Sequence, residues 1–226
     1  MCINLAVICP VFNEQDNVQK VCEEWLATLD KVVGKNHYAW IFFNDGSTDE
    51  TLNTLQFLRN RYPQVIVIDK KNTGHGPTCL YGYKYAIEQN YDWIFQIDSD
   101  GQCDPQFFLK FWENKDNFSW QFGKRVSRDD GFMRVVISKI LSLVVLIASG
   151  VYVSDPNVPY RLMPTKPLKD FLYFIPENFF LANVVVSVFV NSKFGIKWHP
   201  IHFRARFSGV SKVRGFKFAK IACSLS

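Results

Sequence analysis

"YAWIFFNDGSTDET", Tyr38 to Thr51, is the stretch on which the fold turns. Tyr38 to Phe43 is a short continuous apolar run, the pattern of a strand whose sheet is covered on both faces. Asn44 and Asp45 follow it, Gly46 permits a tight turn, and Ser47 or Thr48 stands where a helix N-cap is expected, with Asp49 a further capping group. Buried strand, polar turn and helix, in that order, form the repeating half-unit of a parallel sheet.

The unit recurs on both sides. "INLAVIC" (Ile3 to Cys9) reads as a buried strand followed by a helix from Asp16 to Val33. "VIVID" (Val65 to Asp69) precedes a helix from about Pro77 to Gln89, and "DWIFQID" (Asp92 to Asp98) closes the series. The expected fold is α/β, a Rossmann-like, mostly parallel sheet flanked by helices, in a single domain over residues 1–226. Such sheets bind ligands beyond the carboxyl ends of their strands. Here those ends carry Asn13 and Glu14, Asn44 and Asp45, Asp69 to Asn72, and Asp98 with Asp100.

Further on, Phe107 to Trp112 suggests a helix and Ser119 to Gly123 another strand. Residues 135–153 are the most apolar run, 19 residues long, close to the roughly 20 that span a bilayer. Ser138, Lys139, Ser142, Ser149 and Gly150 interrupt it, and a span would divide the chain between two sides of a membrane. A core or interfacial helix over 132–150 is therefore expected. Asn178 to Val190 reads as a helix, and Gly195 to Phe203, containing Pro200, as an edge strand or extended loop. Phe171, Phe174, Phe179 and Phe180 are read as core or lid.

An apolar content of 48%, with 21 Phe, excludes a disordered chain. The six Cys show no CxxC spacing, which fits reduced thiols in a cytosolic compartment. The N-terminal apolar run lacks a basic flank and breaks at Pro10, so no signal peptide is read. Of 26 basic residues eight follow Glu177, the last acidic residue, leaving 18 against all 21 acidic groups in residues 1–177. A uniformly basic last quarter suits a phosphate-bearing ligand, an anionic membrane or nucleic acid; charge alone fits a solvated surface equally.

Asp98 and Asp100 leave the end of a buried strand two residues apart, an oxygen donor set suited to Mg2+ or Mn2+. Magnesium takes few protein carboxylates and completes its shell with water and phosphate oxygens, so a short acidic motif is enough for a metal–diphosphate site. "NTGHGP" (Asn72 to Pro77) is a Gly-containing loop before a helix, able to cradle phosphate but without the P-loop pattern. His37, His75, His199 and His202 are scattered and have no zinc spacing. No nucleic-acid-binding fold accompanies the basic segment, and no nucleic-acid partner is expected.

"CPVFNEQDNV" (Cys9 to Val18), "NDGSTDET" (Asn44 to Thr51), "NTGHGPTCLYGYKYA" (Asn72 to Ala86) and "IDSDGQCDP" (Ile97 to Pro105) resemble, in order and spacing, the family 2 glycosyltransferases, which have a GT-A-type fold. Arg134 with Ser138, "SDPNVPYRL" (Ser154 to Leu162) and "RFSGVSK" (Arg206 to Lys212) resemble the polyprenyl- and dolichyl-phosphate sugar transferases within it. The resemblance implies a nucleotide-sugar-binding half over 1–123 and an acceptor-binding half over 124–226. It places Pro10, Phe12, Glu14, Asp45 and Asp98 around the nucleotide sugar, and Asp98, Asp100 and Gln102 around the metal. Arg125, Arg134, Ser138, Arg206 and Lys212 become the acceptor-phosphate set, with Asp100, Arg134 and Arg206 the catalytic residues. The family commonly has Asp where Asn44 stands, and Gly-Phe-Arg where Pro159, Tyr160 and Arg161 stand.

The implied reaction moves a sugar, with inversion, from a nucleotide-diphosphate donor to a nucleophilic oxygen. A hydroxyl acceptor requires a carboxylate base, for which Glu177 or Asp155 is available. A lipid phosphate, with a second pKa of roughly 6, is already anionic and requires Arg and Lys instead. The basic last quarter favours a polyprenyl phosphate over a glycan or glycolipid hydroxyl. The expected location is cytoplasmic, peripheral on the inner face of the membrane. A non-catalytic nucleotide-sugar-binding domain is the alternative from another class, and the complete acidic motif counts against it.

Overall fold

The computed structural model describes residues 4–128 and 132–208; the side chains of 128 and 132–135 lie outside that description. A seven-stranded sheet runs in the order β3-β2-β1-β4-β6-β5-β7. Its first half is the expected parallel series: β1 (Leu5–Val11), β2 (Tyr38–Asp45), β3 (Val65–Lys70) and β4 (Trp93–Gln96). Every residue of β1 and β2 is buried, which is why these strands read as unbroken apolar runs.

Between them lie α1 (Val18–Val32), α2 (Thr51–Arg61) and α3 (His75–Glu88). Helix α1 buries Val18, Val21, Cys22, Trp25, Leu26 and Leu29, one stripe at helical spacing. Trp25 meets Trp40, Phe95, Phe108 and Tyr160 at ring distances of 5.6–6.0 Å, and its indole N–H donates to the Cys103 carbonyl at 3.2 Å. Cys9, Cys22, Cys79 and Cys103 are buried free thiols.

The second half departs from a simple continuation. After α4 (Phe108–Glu113), β5 (Gln121–Arg128) does not pair with β4. The four-residue β6 (Arg161–Pro164) enters between them, antiparallel to both, and β7 (Lys197–Phe203) lies outermost, parallel to β5. Pro200 thus stands on an edge strand, where a missing N–H is tolerated. Strand β6 holds Arg161, fully buried, its guanidinium donating to the carbonyls of Val158, Asn183 and Pro156.

The apolar run forms α5 (Phe132–Ser149), followed by Gly150 at φ 69°, whose N–H caps the helix on the Leu146 carbonyl. Helix α5 packs on the body through Leu141 and Val145, against Val153, Val184 and Leu181. Ile137, Ile140, Leu143, Val144 and Ile147 are exposed on it, Ile147 by 77%. No helix among the described residues is long and apolar enough to cross a membrane. Two helices follow, α6 (Thr165–Leu172) and α7 (Ala182–Lys193), the latter starting later than the sequence suggests because residues 176–181 form a turn first. Phe171 stacks on Phe189 against the core, whereas Tyr173 and Phe174 stand out in solvent.

Candidate active site

The carboxyl ends of β1 and β2 are pinned to each other. Asn13, at φ 53°, donates its backbone N–H to Ser47 Oγ at 2.9 Å and accepts the Thr48 N–H at 2.8 Å, while the Glu14 N–H donates to Thr51 Oγ1. Ser47 and Thr48 therefore do not cap α2, because the adjacent strand's loop takes their hydroxyls; the Thr51 N–H is met by Asp49 instead. Asn44 is saturated, donating to Asp69 at 2.7 Å and accepting from Ser47 Oγ. Pro10 lies in β1 two residues past Ile8, the last to pair with β4, and Phe12 stands at the surface of the rim.

Asp45 is drawn into the β3–α3 loop. One carboxylate oxygen takes the Lys70 ammonium and the Thr73 N–H, and the other takes the Gly74 N–H at 2.9 Å. Burial works to raise its pKa, but Lys70, the Thr73 N–H and the Thr78 hydroxyl outweigh it and hold the carboxylate below its usual range. Asp45 thus shapes the loop at the start of α3, and its oxygens are turned to Lys70 and that backbone.

At the end of β4 stand Asp98 and Asp100. Asp98 Oδ1 is buried without a hydrogen-bond partner, and His75 Nε2, from the first turn of α3, lies 3.8 Å away. His75 is pushed toward its charged form by Cys79, then by Asp98 and Asp100, against the effect of burial. Asp100 accepts the Gln102 N–H at 3.1 Å, and its pKa is pushed up to about 6, by burial first and then by Asp98, with the Gln102 N–H and Arg206 opposing. The side-chain amide of Gln102 donates to the Arg204 carbonyl, so Gln102 braces Asp100 through its backbone.

These residues fit a hard divalent ion. Asp98 Oδ1, buried with no hydrogen bond, and the charge-strained Asp100 carboxylate together offer a pair of hard oxygen donors. Among the described residues no group of three His, Cys, Asp or Glu side chains forms a complete cage, so an ion held here would draw its other ligands from water and phosphate oxygens.

The second half of the chain reaches this rim through residues 204–208. Arg204 makes a two-pronged pair with Glu24 at 2.7 and 2.9 Å. Arg206 Nη2 donates to Glu14 Oε1 at 2.6 Å, and its Nη1 lies 3.6 Å from Asp100 Oδ2. The Phe207 ring sits on Gly101, where a Cβ would come within 2.5 Å of it. The Arg125 guanidinium clasps Asp155 at 2.7 and 2.5 Å, both side chains almost fully buried. Glu177 is exposed and paired with Lys84. Ser138 lies on α5, one turn from Arg134, whose side chain is outside the described residues, as is all of Lys212. Tyr160, in place of the family's Phe, joins the aromatic cluster around Trp25 and donates to the Asp104 carbonyl.

Lys70 and His75 stand against Asp45 and Asp98; the sequence reading passes over Lys70 and sets His75 aside with the other histidines. Each has one weak signal, a position at a strand end or at the start of the following helix.

The sequence profile of Glycosyl transferase family 2 matches residues 6–137. An undecaprenyl-phosphate 4-deoxy-4-formamido-L-arabinose transferase from Edwardsiella ictaluri is 24% identical over 211 residues, covering 92% of this chain and 62% of that protein. A dolichyl-phosphate beta-glucosyltransferase from Trichomonas vaginalis is 25% identical over 176 residues, 71% of this chain and 53% of its own length. The chain thus spans between about a half and three fifths of these curated relatives. Among solved structures, glucosyl-3-phosphoglycerate synthase from Mycobacterium tuberculosis, in complex with Mn2+ and UDP-glucose, matches with a TM-score of 0.67 at 16% identity, over 98% of this chain and 77% of that one. S. aureus TarS residues 1–349 match with a TM-score of 0.61 at 18% identity, over 90% and 60%. At these identities the likeness establishes the fold, which is GT-A-type. With the profile covering more than half of its length, the chain belongs to glycosyl transferase family 2.

Proposed function

We propose that the protein transfers a sugar, with inversion, from a nucleoside-diphosphate donor to a polyprenyl phosphate, using Mg2+ or Mn2+ held by Asp98 and Asp100. The observation that carries this reading is the meeting of the two carboxylates at the β4 end, one oxygen orphaned, with Arg206 from the far half of the chain. The bond from the anomeric carbon to the diphosphate breaks and the nucleoside diphosphate leaves with the electron pair. A new bond forms from an acceptor phosphate oxygen. A bound divalent ion supplies Lewis-acid stabilisation of the leaving diphosphate.

The chain's own residues position the two anions. The interlocked β1 and β2 loops fix Phe12 and Glu14, and Asp45 holds the loop before α3 for the donor. Residues 1–123 form the donor half and 124–226 the acceptor half. Arg206, and Arg134 with Ser138 one turn apart on α5, compensate the acceptor's charge. Arg125 takes part only if Asp155 shares it. A hydroxyl acceptor is disfavoured because Asp155 is clasped by Arg125 and Glu177 faces solvent beside Lys84. The exposed apolar residues of α5, in a segment with Lys139 and no acidic residue, suit peripheral seating on the cytoplasmic face of a membrane.

The test is to incubate the protein with labelled nucleotide sugars, Mn2+ or Mg2+, and polyprenyl phosphate or membranes. Label is expected in an organic-extractable product labile to mild acid. Label on saccharide acceptors alone would overturn the acceptor assignment.

A further inference from the structure

We infer that Arg206 is the cation seated on Glu14 and Asp100 in the metal-free chain, and that residues 204–208 withdraw it from Asp100 when a divalent ion binds. This rests on the proposed metal role of Asp98 and Asp100. Glu14, Asp98 and Asp100 converge at a partly buried rim, where uncompensated carboxylates are costly. Arg206 answers that charge, 2.6 Å from Glu14 and 3.6 Å from Asp100.

Its seat is imperfect. Arg206 Nε is buried with no hydrogen-bond partner, and Asp98 Oδ1 has none either, with His75 Nε2 beside it at 3.8 Å. A donor and an acceptor that both remain unsatisfied in one site mark an arrangement held by net charge rather than by a completed hydrogen-bond set. A hard cation taken up by Asp98 and Asp100 satisfies the orphaned oxygen and sets a second positive charge beside the guanidinium, which then has reason to leave.

The segment is tied at its far end to the start of α1: Ser208 Oγ donates to Asn17 Oδ1 at 2.7 Å, Asn17 Nδ2 donates to the Ser208 carbonyl at 3.3 Å, and the Lys20 ammonium lies 3.9 Å from the centre of the Phe207 ring. Arg204 is anchored outside the acidic pair, by Glu24, by its N–H on the Gln102 carbonyl and by the Gln102 side-chain amide on its own carbonyl. Between these anchors the segment touches the metal loop through the Phe207 N–H on the Asp100 carbonyl at 3.3 Å and the Phe207 ring over Gly101. Gly101, at φ 82°, has no Cβ to obstruct that ring. Arg206 released from Asp100 is free to meet a phosphate, so one residue serves first as the site's counter-ion and then as an anion ligand.

The experiment titrates Mn2+ into the full chain without nucleotide, following free Mn2+ by its electron paramagnetic resonance signal. Arg206→Gln is expected to bind Mn2+ roughly tenfold more tightly than wild type, the size of an ordinary coupling between competing ligands. Phe207→Ala, which removes no charge but loosens the segment, is expected to shift in the same direction. In wild type, hydrogen exchange at the Phe207 amide should accelerate when Mg2+ is added. Tightening confined to Arg206→Gln, with exchange unchanged, would reduce Arg206 to a fixed neighbouring charge and overturn the inference while leaving the metal site standing. Absence of Mn2+ uptake by all three proteins, with or without UDP or GDP, would remove the metal site itself and this inference with it.

Discussion

Arg206 Nη2 lies 2.6 Å from Glu14 Oε1, a contact that closes 192 positions of sequence. Glu14 follows β1, and Arg206 follows β7 at the far edge of the sheet. The pair ties the segment after the outermost strand of the sheet to the loop that follows β1. Several consequences of this charge arrangement are measurable.

Asp100→Asn is expected to abolish metal-dependent transfer while stabilising the fold above pH 6. The folded-state pKa of about 6 lies above the ordinary 3.8, so the folded chain holds this proton after the unfolded chain has lost it. Stability therefore falls as pH rises between those two values and stays at the lower level above them. The variant lacks that loss. Its melting temperature should exceed wild type by a few degrees at pH 7 and converge with it near pH 4. A lower melting temperature at pH 7 would contradict the assignment.

His199 works in the opposite sense. It is buried, hydrogen-bonded to Gln121 at 2.8 Å, and its pKa is lowered to about 4 by burial first and then by Lys110 and Lys197. A depressed histidine contributes stability above its ordinary 6.5 that is lost as pH falls toward 4. His199→Gln should flatten the acid limb of a denaturant-derived stability profile between those values, and an unchanged slope would exclude His199 as its source.

Asp155→Asn leaves the Arg125 guanidinium buried without its counter-ion, which costs about 3–5 kcal/mol. The double change Arg125→Met with Asp155→Leu should recover most of that, because neither charge is then stranded. Urea unfolding of the single and double variants decides between this and a pair of no structural weight.

Arg134→Ala should raise the KM for polyprenyl phosphate roughly tenfold, the loss of one charge-assisted contact of about 1.4 kcal/mol, with the donor KM unchanged. Equal effects on both substrates would remove Arg134 from the acceptor side.

The parallel half was legible because its evidence is local. Tyr38 to Phe43 and Gly46 lie side by side in the chain, so strand and turn are read in one glance. The polar strand ends could be collected on one rim once the sheet was known to be parallel. Strand β6 was not legible: it is four residues long, begins with an arginine and ends with a proline, and its partners lie far away in sequence. Arg161 reads as a surface charge and is buried only because three loop carbonyls converge on it. The same limit explains Ser47 and Thr48, whose hydroxyls answer Asn13 because β1 and β2 are neighbours in space. Asp45 was correctly placed at the rim, but its locking by Lys70 depends on the register between β2 and β3, which composition does not encode.

The insertion of β6 between β4 and β5 also sets an order of assembly. As the chain leaves the ribosome, β1 to β4 pair through short local connections and can settle early. Strand β5 emerges next and has no edge to join, since its place beside β4 belongs to a strand that starts at Arg161. It waits, with α5 and its uncovered apolar side chains, until β6 arrives, and β7 and Arg206 dock only after that. Strands β1 to β4 are thus in place well before β7 and Arg206, and a nascent chain halted before residue 161 has left the ribosome, but after α5 has, would expose both an unpaired strand and a greasy helix to the folding machinery.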